Sequence, residues 1–470
     1  MESDFFDVSS HVFRAGKPII FTVSGRFWQQ SMAEFAQKGK LQIKGVPVCG
    51  YFNDNGNFSL DTFRIYELTQ LPDNPDVIQV ELPPMDEGEF HCTLQLVCEN
   101  KTPQNICEIK IYILNDDLFE LNPYKGDMHV HSSYSFCGKR LDDPYHVAAT
   151  AREKGLDFIA ITDHVQIEGS EAVKDFSKKF NTEFQLYPGE ECHVLKEKMD
   201  TRFCKNHFYS NVHIVNFGGN EGVIRYANEH YDEFYREVSE RAEKINMPYP
   251  EDMRFIMAGA DWICDKIHEF GGIAIFCHPA WRKEYHDNLS YIIRDYIAEQ
   301  GKFDVMEVAG LSCPADSPSR LDFTESINLA AAWHQDLCIR KGSYIPVVGN
   351  TDSHNAEKVL GRHFTIVFCR ENSFESISDA LKKGLAVGVT TSDIPNAAPQ
   401  IYGEYRLVRY AHFLLRTYFK NHDELCAIEG KMMRSALRNE ITADKIRLIN
   451  NNNIQNLITK FFKQQERQNL

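Results

Sequence analysis

Residues 156–164 read LDFIAITDH, a short apolar run that ends in the charged pair Asp163–His164. The design recurs downstream: GGIAIFC closes on His278 and Pro279, and YIPVVGNT is followed by Asp352 and His354. FDVMEVAG and FTIVFC are runs of the same kind. Helical stretches lie between them, of which Tyr226–Ile245 is clearly amphipathic and Glu375–Lys383 a shorter example. Short apolar runs alternating with helices predict βα units around a largely parallel sheet. In such folds the strand C-termini present side chains to one shared site.

Upstream of Pro123 the pattern changes. KPIIFTVSG, EFHCTLQLVC and ICEIKIYIL show partial alternation and are punctuated by NDNGN, LPDNPD and PPMDEGE, which predicts a small antiparallel β-sandwich over residues 1–122. From about Tyr405 the chain turns helical. The expected organisation is therefore a β-rich domain (1–122), an α/β domain (123–400) and a helical C-terminal extension (401–470).

The 470 residues include 51 basic and 67 acidic ones, a net charge of −16, which argues against wrapping of phosphate backbones and leaves room for a local basic pocket. Bulk nucleic-acid binding is not expected. MESDFFDVSS has neither the basic nor the apolar region of a signal peptide, and no run approaches the ~20 apolar residues that span a bilayer, so no membrane partner is expected. The 13 cysteines are scattered singly, several inside apolar runs, as expected of reduced buried thiols in a cytoplasmic protein. The oligomeric state is left open.

The histidines carry the chemistry. His129 and His131 form an H-x-H, and alternation along a strand turns both imidazoles to one side. Asp163 and His164 close a strand, Glu190 and Glu191 follow QLYPG, His213 opens HIVNFGG, and His278, Asp352 and His354 end further runs. One histidine at a strand end is usually a hydrogen-bonded structural residue. Several such clusters after separate strands are costly to bury, by several kcal/mol, unless they are paired or metal-bound. Imidazole with carboxylate and no thiolate pattern favours Zn, Mn or Fe over a structural Cys-type zinc site.

The ordered set DMHVHSSYS, AITDH, PGEE, VHIVNFG, FCHP, MEVAG and NTDSH resembles the PHP (polymerase and histidinol phosphatase) family across residues 123–395. The resemblance implies a distorted (β/α)7 TIM-like barrel holding two or three divalent metal ions (Zn, Mn or Fe), and a metal-dependent phosphoesterase activity. It further implies that His129, His131, Glu191 and Asp352 hold one metal, that Glu191 bridges to a second completed by His213 and His278, and that His164 and His354 hold a third. Glu191 rather than Glu190 fits the family's Gly-x-Glu spacing.

One position departs from the family, which carries a His or Asp shortly after the H-x-H. Here the chain reads Tyr134-Ser135-Phe136-Cys137-Gly138, and Phe136 is no ligand. Two metals are therefore expected more firmly than three, with Cys137 or Asp142 as candidates to complete the last. Asp163 and Asp352 are candidates to orient imidazoles or accept a proton. Arg282 in HPAWR is the first candidate for a phosphate contact, with Lys139 and Arg140 behind it. His193, His207, His286 and His363 match no ligand position and are read as structural. The expected reaction is hydrolysis of a small phosphomonoester or nucleotide-type diester. The alternatives are an amidohydrolase-like metal hydrolase and a non-catalytic binding domain.

Overall fold

The computed structural model describes residues 5–26, 31–48, 51–52, 58–59, 63–71, 73–195, 197, 211–246, 248–284, 286–311, 317, 319–392, 397–449 and 452–462. The chain divides into two compact units. The first comprises residues 1–122, 412–420 and 453–470, and the second residues 123–411 and 421–452.

Eight strands form the sheet of the first unit, in the order Phe6–Val8, Ile19–Gly25, Asn74–Leu82, Arg64–Leu71, Lys40–Pro47, Gly88–Val97, Gln104–Leu114, Val12–Arg14. Its pairs are antiparallel except the last, where Gln104–Leu114 runs parallel to Val12–Arg14. Ile19–Gly25 buries every second residue (Ile19, Phe21, Val23), as strand alternation with one covered face requires. Both ends of the sheet feed one core, in which Phe13 and Phe21 lie 5.8 Å apart.

The helical tail forms no third unit. Phe413 packs 5.2 Å from Tyr112, and Phe461 stacks on His11 at 4.7 Å, so these aromatic faces are buried in the first unit. Residues 421–452 are fixed instead to the second unit by buried charges. His422 Nε2 lies 2.8 Å from Asp157, Arg152 Nε donates to Glu429 at 2.7 Å, and Lys125 Nζ donates to Asp423 at 2.9 Å. An amphipathic tail without a core of its own buries its apolar stripe on whatever core adjoins it. The helices expected over 401–470 are present and are divided between the two units.

The second unit is mixed α/β. Its strands are β1 (Asn122–Val130), β2 (Phe158–Ile161), β3 (Gln185–Tyr187), β4 (Gly189–His193), β5 (His213–Phe217), β6 (Ile273–Phe276), β7 (Val305–Ala309), β8 (Val347–Gly349), β9 (His363–Cys369), β10 (Ala386–Thr390) and β11 (Gln400–Tyr402). They form one sheet ordered β3-β2-β1-β9-β10-β11 and another ordered β4-β5-β6-β7-β8. Backbone bonds join the two sheets at two places. Asp352 N–H donates to the His129 carbonyl and His131 N–H to Ser353, while Val165 N–H donates to Glu191 and Glu191 N–H to Asp163. The strands that meet there are buried along their whole length, as expected of strands covered on both faces.

The sheet is not wholly parallel. β5 pairs antiparallel with both β4 and β6, with His213 opposite His193. No helix occurs among the described residues between β4 and β5, and without a helical crossover a strand returns antiparallel to its predecessor. The reversal brings the first residue of β5 to the end of the sheet where its neighbours finish. No helix among the described residues is long and apolar enough to cross a membrane.

Candidate metal centre

β1 is buried along its whole length, and its alternation turns His129 and His131 to one side. β4 presents Glu191 and His193 on one face and Glu190 on the other. The Glu190 carboxylate accepts from the backbone N–H of Val223 and Ile224, capping the helix Val223–Glu229, which has no side-chain cap of its own. Burial pushes the Glu190 carboxyl up to about 7. The alternation thus turns Glu191, and not Glu190, toward the histidines.

Six imidazoles surround Glu191. Its carboxylate lies 3.4 Å from His129, 3.5 Å from His131, 3.8 Å from His193, 2.6 Å from His213 and 3.3 Å from His278, and in direct contact with His164 Nδ1. Asp352 Oδ1 stands beside them, 2.9 Å from His131 Nε2 and 3.4 Å from His129 Nε2. His354 Nδ1 sits 2.8 Å from the Asp352 carbonyl. The structure therefore gathers all eight expected ligands at one end of the sheet. Asp352 and His278 adopt positive φ, +50° and +25°, a backbone strain of order 1–3 kcal/mol each that is characteristic of functional sites.

The hydrogen-bond network assigns the imidazole tautomers. Glu307 Oε1 can only accept, so His129 Nδ1, 3.2 Å away, carries the proton. Ser135 Oγ donates its own proton to Asp163 at 2.7 Å and so accepts from His131 Nδ1 at 3.0 Å. Both Nε2 atoms face carboxylate oxygens, a contact that is favourable only with a proton or a metal cation between nitrogen and oxygen. His129 Nε2 and Glu191 Oε2 are fully buried and make no hydrogen bond of ordinary geometry. Stacked rings at 3.9 Å (His193 and His213) and tilted rings at 4.4 Å (His131 and His164) would repel if every imidazole carried a proton. The donor set fits divalent metal ions, for which neutral imidazole and carboxylate are the binding forms.

Among themselves the carboxylates and imidazoles hold one another's charge, so metal binding would displace protons from the cluster. Burial opposes ionisation of Glu191 and Asp352, yet the surrounding imidazoles hold both carboxyls well below the usual range. Burial and neighbouring histidines depress His131 and His213, and burial takes His193 down to about 4. Burial is outweighed at His129, raised well above its usual value chiefly by Asp352, and at His164, pushed up to about 10 chiefly by Glu191.

Other expected residues take different places. Asp163 lies outside the Glu191 cluster and supports it through Ser135, whose Oγ accepts from His131. The Asp163 oxygens accept from the backbone N–H and hydroxyl of both Ser132 and Ser135, which holds the loop after β1 against β2. The structure does not bring Arg282 to the cavity. Its guanidinium pairs with Glu325 at 2.8 Å and Asp287 at 3.4 Å, so its charge is already matched by carboxylates. Lys139 lines the cavity instead, a space of about 430 Å³ over the metal ligands that Trp281, Leu311 and Phe323 also wall. Asp142 caps the helix Ala356–Val359 through Ala356 N–H and is not among the ligands.

Two participants escaped the sequence reading. His193 is not a remote structural histidine: its Nε2 lies 3.0 Å from His164 Nδ1, within the same cluster as Glu191. The i, i+2 relation to Glu191 was the available signal. Glu307, buried in MEVAG, accepts from His129, from the His278 backbone N–H at 2.9 Å and from Asn350 Nδ2 at 2.9 Å. His286 is exposed, His363 bonds Thr390 Oγ1 at 3.1 Å, and His207 lies outside the described residues.

Comparison with known proteins gives the following. No family model matches the chain. An uncharacterized protein of Methanocaldococcus jannaschii is 34% identical over 67 residues, 13% of this chain and 39% of that protein, so the chain spans well under half of the curated relative it matches. A two-domain protein of Bacteroides vulgatus, described as containing a "predicted PHP-like metal-dependent phosphoesterase", is 16% identical, with a TM-score of 0.34 over 58% of this chain and 66% of that one. Endonuclease Q, a lesion-specific endonuclease of Pyrococcus furiosus, is 19% identical, with a TM-score of 0.34 over 60% and 58%. An amidohydrolase of Chromobacterium violaceum is 17% identical, with a TM-score of 0.29 over 50% and 89%. The functional reading below rests on the site's own geometry.

Proposed function

We propose that the chain is a PHP-type metal-dependent hydrolase of phosphate esters, built on a distorted (β/α)7 barrel whose ring is β1, β2, β4, β5, β6, β7 and β8. The observation that carries this is the Glu191 carboxylate ringed by six buried imidazoles, with Asp352 beside them. His129, His131, Glu191 and Asp352 would hold one divalent ion, and Glu191, His213 and His278 a second. Zn, Mn and Fe all suit these ligands. When bound, such a pair supplies Lewis acidity toward a phosphoryl oxygen and lowers the pKa of water.

The protein's own residues do the rest. Glu307 holds the Nδ1 proton of His129, which fixes that ring's donor nitrogen toward the cavity. Asp352, kept ionised by its imidazoles, is a ligand and too weak a base to act as the main proton acceptor. Lys139 offers a cation to a phosphate oxygen. Trp281, Leu311 and Phe323 receive the apolar part of a small alcohol. A neighbouring cavity of about 370 Å³ shares Leu311 and Phe323 and is lined by Arg320, Arg362 and Thr391, which favours a substrate bearing a second polar or anionic group. The cavity volumes and the acidic surface favour a small phosphorylated molecule over bulk nucleic acid, and a cytoplasmic location belongs to the same reading.

The test is turnover by metal-loaded protein and by Asp352→Asn on a panel of aryl phosphomonoesters, phosphodiesters, amides and lactones. Phosphate-ester hydrolysis lost in the variant is expected. Turnover of amides or lactones alone would favour the amidohydrolase-like reading. Bound metal with no turnover of any class would favour a binding domain.

A further inference from the structure

Cys137 lies in the cavity wall at a place where the dinuclear core needs nothing. One ligand atom each of Cys137, His164, His354 and His131 lie within 4.8 Å of one another. The Asp352 carbonyl can only accept, so His354 Nδ1 carries the proton and its Nε2 is the lone-pair nitrogen. His131 Nε2 is already directed to Asp352, which leaves Cys137, His164 and His354 as three donors with an open fourth position.

The segment that carries the thiol is held in place. Gly138 N–H donates to the Ser135 carbonyl at 2.9 Å, and Ser132 and Ser135 are both anchored to Asp163. A Cβ on Gly138 would come within 1.8 Å of the Ser132 carbonyl oxygen, so the turn presenting Cys137 requires glycine there. Phe136 stacks on the His164 ring at 5.3 Å and lines the same cavity. The residue that breaks the family pattern thus buttresses an imidazole while its neighbour supplies the sulfur.

We propose that Cys137 completes, as a thiolate ligand, the third metal position that the resemblance assigns to His164 and His354, beside the Glu191-centred pair. Zn–S and Zn–N bonds of about 2.3 and 2.0 Å place ligand atoms roughly 3.5 Å apart in a tetrahedron, a small inward adjustment from the present spacing. Three protein donors with an open coordination place are the arrangement of catalytic rather than structural zinc. The soft sulfur makes this position select zinc over manganese or magnesium, unlike the imidazole–carboxylate pair next to it. The proposal rests on the metal-centre reading but not on the identity of the substrate.

The full-length protein is loaded with Co²⁺, and its spectrum and metal content are compared with those of Cys137→Ser and Cys137→His. Wild type is expected to show a thiolate-to-cobalt charge-transfer band in the near ultraviolet. Cys137→Ser should lose the band and one ion per chain while keeping the others, and Cys137→His should regain the ion without the band. Zn²⁺ should also shield Cys137 of the wild type from iodoacetamide, read by peptide mass spectrometry. The proposal is overturned if the metal count is unchanged in Cys137→Ser, or if the band persists there and so arises from Cys192 or Cys277. Protein that binds metal yet leaves Cys137 fully alkylated also overturns it and leaves the Glu191 pair standing. Wild type that binds no metal overturns this position and the metal centre together.

Discussion

Glu307→Gln is the most informative single change to the centre outside the ligands themselves. Glu307 is buried, and both its oxygens accept: Oε1 from His129 Nδ1 at 3.2 Å and Asn350 Nδ2 at 2.9 Å, Oε2 from His278 N–H at 2.9 Å. A glutamine matches the shape but replaces one acceptor with an NH2 donor. Whichever way the amide turns, that NH2 faces a donor. If it faces His278 N–H, one hydrogen bond is lost; if it faces His129, two are lost and the Nδ1 proton has no acceptor. Each bond to a charged acceptor contributes about 1.5–3 kcal/mol, and one tenfold step in affinity is about 1.4 kcal/mol. The expected loss is therefore 10–100-fold in metal affinity, the range usual for residues that orient metal-binding histidines. The assay is chelator competition followed by metal analysis, with circular dichroism to verify the fold. Folded Glu307→Gln that retains metal as tightly as wild type would refute the role given to Glu307 and the tautomer assigned to His129.

Further predictions concern the supports around the centre. Asp163→Asn removes acceptors from Ser132 and Ser135, and a thermal melt should show a loss of about 1–3 kcal/mol, with the loop carrying Cys137 more readily cleaved by protease. Lys139→Ala should raise KM for a phosphorylated substrate about tenfold with little change in kcat, whereas Arg282→Ala, whose charge is already paired with Glu325, should leave both within about twofold. The His422–Asp157 pair supplies a pH signature away from the metals. Burial opposes the charge on His422, but Asp157 raises its pKa well above the usual value, so its contribution to stability is full below about pH 6.5 and is lost as pH rises through the folded-state value. Asp157, held down to about 2, contributes above its ordinary range and loses its contribution only in strong acid. Melting temperature should therefore fall as pH rises above 6.5 in wild type, and less steeply in His422→Asn.

That histidines and carboxylates gather at strand ends was legible because strand alternation and apolar run length are local properties, and His129 and His131 share a face for the same reason in any strand; their division into metal sites came from the resemblance. The choice of Glu191 over Glu190 came from the Gly-x-Glu pattern of the family the chain resembles, and the helix cap made by Glu190 is its structural counterpart. What could not be read depends on partners distant in sequence. Arg282 looked available until Glu325, 43 residues on, neutralised it. Glu307 looked like one polar residue in an apolar strand because its three donors come from three other segments. His193 was missed although the same i, i+2 rule applied to Glu191 and His193. The antiparallel course of β5 and the parting of the C-terminal helices between two units depend on which core each stripe buries, a tertiary choice that periodicity alone does not record.

The most direct measurement is metal content per chain, by mass spectrometry of the intact protein under native conditions, for wild type beside Glu191→Ala. The account predicts at least two divalent ions in wild type and loss of the pair in the variant, because six imidazoles would lose the carboxylate they converge on. Wild-type protein that remained metal-free after incubation with Zn²⁺ or Mn²⁺, while keeping its fold, would contradict it.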